Sequence, residues 1–206
     1  MTRTATTKKN GHPAADALDW EEAKRLINRL QKDNRYRDSM LIACGCYLGL
    51  RISDLRLLKW KTVIDEENTV IEEIKTDKKR ALRINDSLRE IAQKCYDELC
   101  IEDKDSYIFA SGQYDGTRPF TRQRADQILK ECKKNYKIRS AKIFSTHSLR
   151  KTFGRRVWMQ ECEKGRGEQA LVLLCDVFGH SSVQITKRYL GIRQEEILSV
   201  YDALDD

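Results

Sequence analysis

Apolar residues in this chain keep a three-and-four spacing almost throughout, and they lose it once, between Thr62 and Ile84. There the sequence reads "KTVIDEENTVIEEIKTDKKRALRIND". β-Branched runs at Thr62–Ile64 and Thr69–Ile74 are followed by "ALRI" at Ala81–Ile84, with the polar stretches "DEEN" and "TDKK" between them. β-Branched side chains suit a pleated, half-buried surface, and the polar stretches suit turns. One interruption of this kind predicts a mainly α protein with a small three-stranded antiparallel sheet, an α+β class. Proline breaks helices, and only Pro13 and Pro119 occur.

On either side the pattern is helical. Asp19 can cap a first helix whose Trp20, Ala23, Ile27 and Leu30 share a face. A second helix is predicted from Arg35 to Leu50, apolar enough in its latter half to be buried, and a short helical turn at Ser53–Leu58. Further helices are predicted at Asp86–Leu99, Thr121–Tyr136, Thr146–Cys162, Gly167–Phe178, Ser182–Tyr189 and Glu195–Ala203. Residues 1–17 are small, polar and charged, and read as a disordered tail or linker, leaving 18–206 as one folded domain. A chain of 206 residues is long enough to bury a real core.

Net charge is +7 and unevenly spread. Between Arg118 and Arg156 there are 13 Lys or Arg against two acids, Asp126 and Glu131, so that stretch carries +11 and the remainder −4. Clustered cations suit either a solvated helix face or a surface that displaces counterions from a nucleic acid. The seven cysteines include no C-x-x-C pair, which gives no zinc-knuckle spacing. They read as reduced structural thiols of a cytoplasmic protein. No apolar run approaches membrane-spanning length, and no membrane partner is expected.

Three stretches could carry chemistry. In "FSTHSLRKTFGRR", His147 and Arg150 are i and i+3 neighbours at the start of a predicted helix, where backbone N–H groups and the helix dipole favour an anion. In "VFGHSSVQITKRYL", His180 follows a glycine turn, and Tyr189 closes the helix that Ser181 or Ser182 would cap. In "LGLRISDLRLLKW", Arg51 leaves an apolar helix with Asp54 three residues on. An acid can hold such an arginine rigid and aim it at a phosphate. Taken singly, each stretch also fits an ordinary structural role.

Together, in order and spacing, these segments resemble the catalytic domain of the tyrosine recombinases, the phage-type integrase family. "GLRISDL" resembles its first arginine box, "HSLR" its H-x-L-R box, "GHSSVQITKRYL" its third box with the nucleophilic tyrosine, and "IKTDKK" the strand-turn segment with its lysine. Matched by position, the catalytic set is Arg51, Lys75, His147, Arg150, His180 and Tyr189, with Asp54 in support. Lys78 and Lys79 share the turn of Lys75 and compete for its role, and Tyr201 is a rival nucleophile. Lys151 stands where many relatives carry a second histidine, and Phe178 where leucine is usual.

The resemblance implies site-specific DNA recombination through a 3′-phosphotyrosine intermediate, with double-stranded DNA as partner and no cofactor or metal. It also implies a homo-tetramer on DNA, with the C-terminal helix near 193–203 docking on a neighbouring protomer. Arg118, Arg122, Arg124, Lys130, Lys133, Lys134, Arg139 and Lys142 are the candidate DNA-binding residues. Nothing before Leu18 has the pattern of the family's N-terminal core-binding domain, which is expected to be absent. Relaxation of the type IB topoisomerase kind and a non-catalytic DNA-binding module are the alternatives. A metal nuclease would need converging carboxylates, and the acid clusters share no box with the histidines.

Overall fold

The computed structural model describes residues 15–112, 116–192 and Tyr201. Its elements run α1 (Trp20–Lys32), α2 (Tyr36–Leu48), α3 (Ile52–Leu55), α4 (Trp60–Ile64), β1 (Asn68–Glu72), β2 (Lys79–Arg83), α5 (Asp86–Glu98), α6 (Arg122–Tyr136), α7 (Thr146–Cys162), α8 (Gly167–Phe178) and α9 (Val183–Leu190). The caps are the polar residues the sequence offers. Asp19, Asn85, Thr121 and Ser182 each accept a bond from a first-turn amide of α1, α5, α6 and α9. The helix predicted over Glu195–Ala203 lies outside the described residues apart from Tyr201, which is exposed.

The sheet has two strands. β1 and β2 pair antiparallel with Val70 opposite Ala81. Thr62–Ile64, expected as a third strand, belongs instead to α4. The reason is the tryptophan just before it. Trp60, Val63 and Ile64 are all buried, an i, i+3, i+4 stripe, and two adjacent inward residues do not fit a strand with one solvated face. Lys59 forms only an isolated bridge with Tyr107, and the Trp60 and Lys61 amides donate to the carbonyls of Ser106 and Lys104.

Two apolar clusters hold the chain together. The larger gathers α1, α2, α4, α5 and α6 around Leu30, Met40, Trp60 and Phe109. The smaller joins α8 and α9 through Leu171, Leu174, Phe178, Leu190 and Ile192. Helix α7 lies between them. It approaches α2 closely because Gly45 leaves room for Leu149, where a Cβ would meet that side chain at 2.6 Å. At its other side Gly154 admits Leu190 and Phe178, which a Cβ would meet at 2.7 and 2.8 Å. Residues 15–17, read as the end of a loose tail, are anchored. The Asp16 amide donates to Ile143 O at 3.0 Å, and the Ile143 amide donates back to Asp16 Oδ2 at 2.8 Å. Leu18 is buried, and its amide donates to Thr152 Oγ1.

Candidate active site

Helix α2 ends at Gly49, whose left-handed φ of 59° turns the chain sharply. Leu50 then buries, and Arg51 projects over the start of α3. Its guanidinium is fixed on two sides. Nη1 donates to Glu73 Oε2 at 2.6 Å, and Nη2 donates to Phe178 O at 3.0 Å. Arg150, from α7, reaches the same carbonyl with Nη2 at 3.1 Å, while its Nη1 donates to Gly49 O at 2.5 Å. One carbonyl at the C-terminus of α8 therefore gathers both guanidiniums, and the negative end of the helix dipole favours them there. Burial lowers the Arg150 pKa to about 10, which leaves it charged at neutral pH.

Arg51, Lys75, His147 and Arg150 line one cleft of about 770 Å³, together with Arg122, Ile74 and Thr146. The start of α7 faces it, so the positive helix end adds to the cationic lining. The Ser145 amide donates to Ser148 Oγ at 3.0 Å, which fixes the first turn and with it His147. Lys75 is exposed at the tip of the β1–β2 turn and is the lysine of that turn lining the cleft.

His180 and Tyr189 do not line this cleft; Phe178 links them to its Arg150. The Phe178 ring lies 5.4 Å from each of theirs, and the Arg150 guanidinium sits 4.5 Å above its centroid. Phe178, standing where leucine is usual, thus contacts three of the candidate catalytic groups with its ring and holds a fourth, Arg51, on its carbonyl. The Tyr189 hydroxyl reaches to 3.5 Å from His147 O, the outer limit of a hydrogen bond. Burial pushes its pKa up to about 12, against the pull of Arg150 and Arg51. A phenol in that state needs a proton acceptor, and the His147 imidazole is the sequence's candidate for it, its backbone carbonyl being the atom the hydroxyl reaches. Loss of water, then the cations Arg122, Arg150 and Lys151, hold its pKa below the ordinary histidine value. Burial, Arg150 and Arg51 do the same to His180. Both imidazoles are neutral near pH 7.

A neutral imidazole donates from one nitrogen only. His180 Nδ1 lies 2.9 Å from Thr186 Oγ1, while the same hydroxyl is 3.5 Å from Ser182 O. With the hydroxyl donating to Nδ1, the imidazole N–H is at Nε2; with Nδ1–H donating to the hydroxyl, the hydroxyl proton goes to Ser182 O. Thr186 was not evident among the sequence candidates, although its i, i+3 relation to Tyr189 was a usable signal. Glu73 was also missed, hidden in an acid run at a strand end. Asp54, expected to orient Arg51 or its loop, does only the second. It is buried, its Oδ1 accepts from Ile74 N at 3.0 Å and Ser53 Oγ at 3.1 Å, and Glu73 holds the arginine.

The candidate DNA-binding cations divide along α6. Arg122 lines the cleft, and Arg118, Arg124 and Lys130 are exposed nearby in sequence. At the far end Lys133 donates to the carbonyls of Ala141 and Lys142, which ties it into the α6–α7 loop. Lys134, Arg139 and Lys142 are exposed there, with the Arg139 amide bonded to Glu22. Among the described residues no group of three or more His, Cys, Asp or Glu could hold a metal ion, and no helix is long and apolar enough to cross a membrane.

A family model, the phage integrase family, matches residues 16–196. The chain belongs to the phage integrase family. A curated relative, the probable integrase/recombinase YoeC of Bacillus subtilis (strain 168), is 30% identical over 183 residues, covering 86% of this chain and 93% of that protein. Family membership makes the chain a site-specific tyrosine recombinase, a DNA breaking–rejoining enzyme. Solved structures share the fold at lower identity. XerA recombinase matches at 23% identity and a TM-score of 0.65, over 98% of this chain and 67% of that one. A lambda integrase dimer bound to a COC′ core site matches at 17% and 0.63, over 90% of this chain and half of that one. The mainly helical body with a small antiparallel sheet is the architecture of that fold.

Proposed function

We propose that residues 18–206 are a catalytic domain in which Tyr189 attacks a phosphodiester of double-stranded DNA. The tyrosine oxygen bonds to phosphorus and the bond to the 5′-oxygen breaks, leaving a 3′-phosphotyrosine and a 5′-hydroxyl. His147 takes the phenol proton, and Lys75 gives one to the departing oxygen. Arg51, Arg150 and the Nε2–H of His180 hold the non-bridging oxygens as charge develops; one such donor is typically worth about 10²–10³ in rate. Attack by a 5′-hydroxyl from a partner strand reverses the step. The phosphodiester energy is kept in the tyrosyl ester, so the exchange consumes no nucleotide.

The observation that carries this reading is the meeting of Arg51 and Arg150 on the Phe178 carbonyl, with the Tyr189 hydroxyl at the first turn of α7. Two cations held side by side repel, and a phosphate between them relieves the repulsion. Solved relatives have been captured on DNA sites, as XerH was on its palindromic difH substrate. We extend double-stranded DNA to this chain, with assembly as a homo-tetramer through the segment near 193–203 and action in the cytoplasm.

The test uses a pool of nicked duplexes of random sequence, in which the strand end lost after cleavage cannot return. The wild-type protein should form covalent adducts in EDTA, and sequencing the recovered duplexes defines the site. Tyr189→Phe should form none. Cleavage that is lost in EDTA, restored by magnesium and leaves no covalent adduct would support a metal nuclease instead. Exchange of strands between two duplexes, against relaxation alone, separates a recombinase from a topoisomerase-like enzyme.

A further inference from the structure

We infer that Glu73 is a positioning residue that locks the Lys75 turn to Arg51, so that the phosphate clamp and the proton donor are set by one buried carboxylate. The inference rests on the roles of Arg51 and Lys75 proposed above. Glu73 directly follows the first strand and sits two residues before Lys75. Its side chain is 6% exposed. One oxygen, Oε2, accepts from Arg51 Nη1 at 2.6 Å and from Thr76 Oγ1 at 2.9 Å. The other, Oε1, faces Arg80 Nη1 at 3.6 Å. Its backbone carbonyl takes the amides of Thr76 and Asp77, and its amide donates to Lys78 O, which closes the turn carrying Lys75.

A second tie runs the opposite way. Asp54, from the segment of Arg51, accepts from the Ile74 amide beside Lys75. Each segment therefore sends one buried carboxylate into the other. The two ties make a reciprocal clasp, and Lys75 cannot shift along the turn without disturbing the seat of Arg51. Charge matters as much as reach. Arg51, Arg80 and Arg150 converge on this side of the cleft, and Glu73 is the carboxylate that Arg51 and Arg80 face directly. Despite burial, hydrogen bonds from Thr76 and Arg51 and the charges of Arg51 and Arg80 hold its carboxyl below the usual carboxylate range. A glutamine there would keep the size and one acceptor oxygen, and it would lose the charge that steadies the guanidiniums.

The experiment measures single-turnover adduct formation on a nicked duplex recovered from the random pool. Glu73→Gln should slow that step by about 10- to 100-fold, the cost of a misplaced reacting group. Duplex binding should stay equal or tighten, because a negative charge near the phosphate is gone. Glu73→Asp, which keeps the charge, should retain more activity than Glu73→Gln. In an Arg51→Ala background Glu73→Gln should add little, because the two act as a unit. Thr76→Val, which removes a donor to Glu73 without changing charge, should give a smaller deficit in the same step and covers the case in which Glu73→Gln fails to fold. Wild-type cleavage rates in Glu73→Gln and Thr76→Val, or additive effects of Glu73→Gln and Arg51→Ala, would overturn the clasp. Amide exchange at Ile74, without DNA, reads the clasp separately: it should quicken in Glu73→Gln, and no change there also counts against it. A wild-type protein that forms no adduct refutes the proposed function, while unchanged exchange refutes the clasp alone.

Discussion

At the scale of single residues the site turns on where protons sit. His147 is held neutral by lost water and surrounding cations, so the acceptor role proposed for it survives below the ordinary histidine pKa. Single-turnover cleavage should therefore stay flat from pH 8 down to about 6.5 and fall only beneath that value. His147→Gln should be slow throughout and lack that acid limb. By linkage, the same depression makes the free fold lose stability as pH drops below about 6.5, where the unfolded chain binds protons that His147 and His180 resist. Thr186 gives a sharper test. Thr186→Val keeps the shape but frees His180 Nδ1, and cleavage should slow on the order of tenfold, the usual cost of losing a group that orients an imidazole. The deficit should narrow in acid, because an imidazolium donates from both nitrogens. A deficit independent of pH would mean that Thr186 acts through packing. These residues also mark what was legible in the sequence. His147 and Arg150 could be paired because helical spacing is local. Glu73 and Thr186 could not be assigned, since their partners lie 22 and 6 positions away across turns whose closure the sequence does not state.

At the scale of elements, helix boundaries were legible where the sequence spells them, as with Ser145 at the head of α7 and the left-handed Gly179 at the foot of α8. α7 and α8 begin and end where the sequence placed them. The lost strand shows the opposite case. β-Branched Thr62, Val63 and Ile64 favour a strand, and burial of Trp60 three positions before Val63 overrides them. Close approach between helices was likewise unreadable, because a glycine announces room and not its occupant. Gly154 is the position where this bears on function. An added methyl would push on Leu190 and Phe178, and Phe178 in turn supports Arg150, His180 and Tyr189. Gly154→Ala should destabilise the fold by about 1–3 kcal/mol, the usual cost of overpacking, in spite of its better helix propensity. Cleavage measured well below the melting temperature should drop further than the folded fraction does. Retention of full activity at a lowered melting temperature would show that α9 can dock without the Phe178 ring in place.

At the scale of the whole molecule, the charge pattern divides into cations that face solvent and cations that build the fold. The +11 stretch from Arg118 to Arg156 does not divide this way on sequence alone, because a lysine on a carbonyl and a lysine on a phosphate are spelled alike. In the structure Arg150 and Lys151 are buried, Lys133 bonds to Ala141 and Lys142 carbonyls, Arg155 donates to Leu190 O, and Arg156 lies over the Trp20 ring. Arg122 instead is exposed on the rim of the cleft. Salt dependence separates the two kinds, since each cation that neutralises a DNA phosphate adds about 0.9 to the slope of log affinity against log salt. Arg122→Gln should lower that slope by about 1, with weaker binding at low salt and an unchanged melting temperature. Lys133→Gln removes the same formal charge from the same helix, yet it should leave the slope alone and lower the melting temperature, because two loop carbonyls lose their donor. A slope that fell equally in both variants would mean that duplex DNA runs the full length of α6 and displaces Lys133 from its loop. The cationic surface would then be a track along the helix, and the cleft only its end.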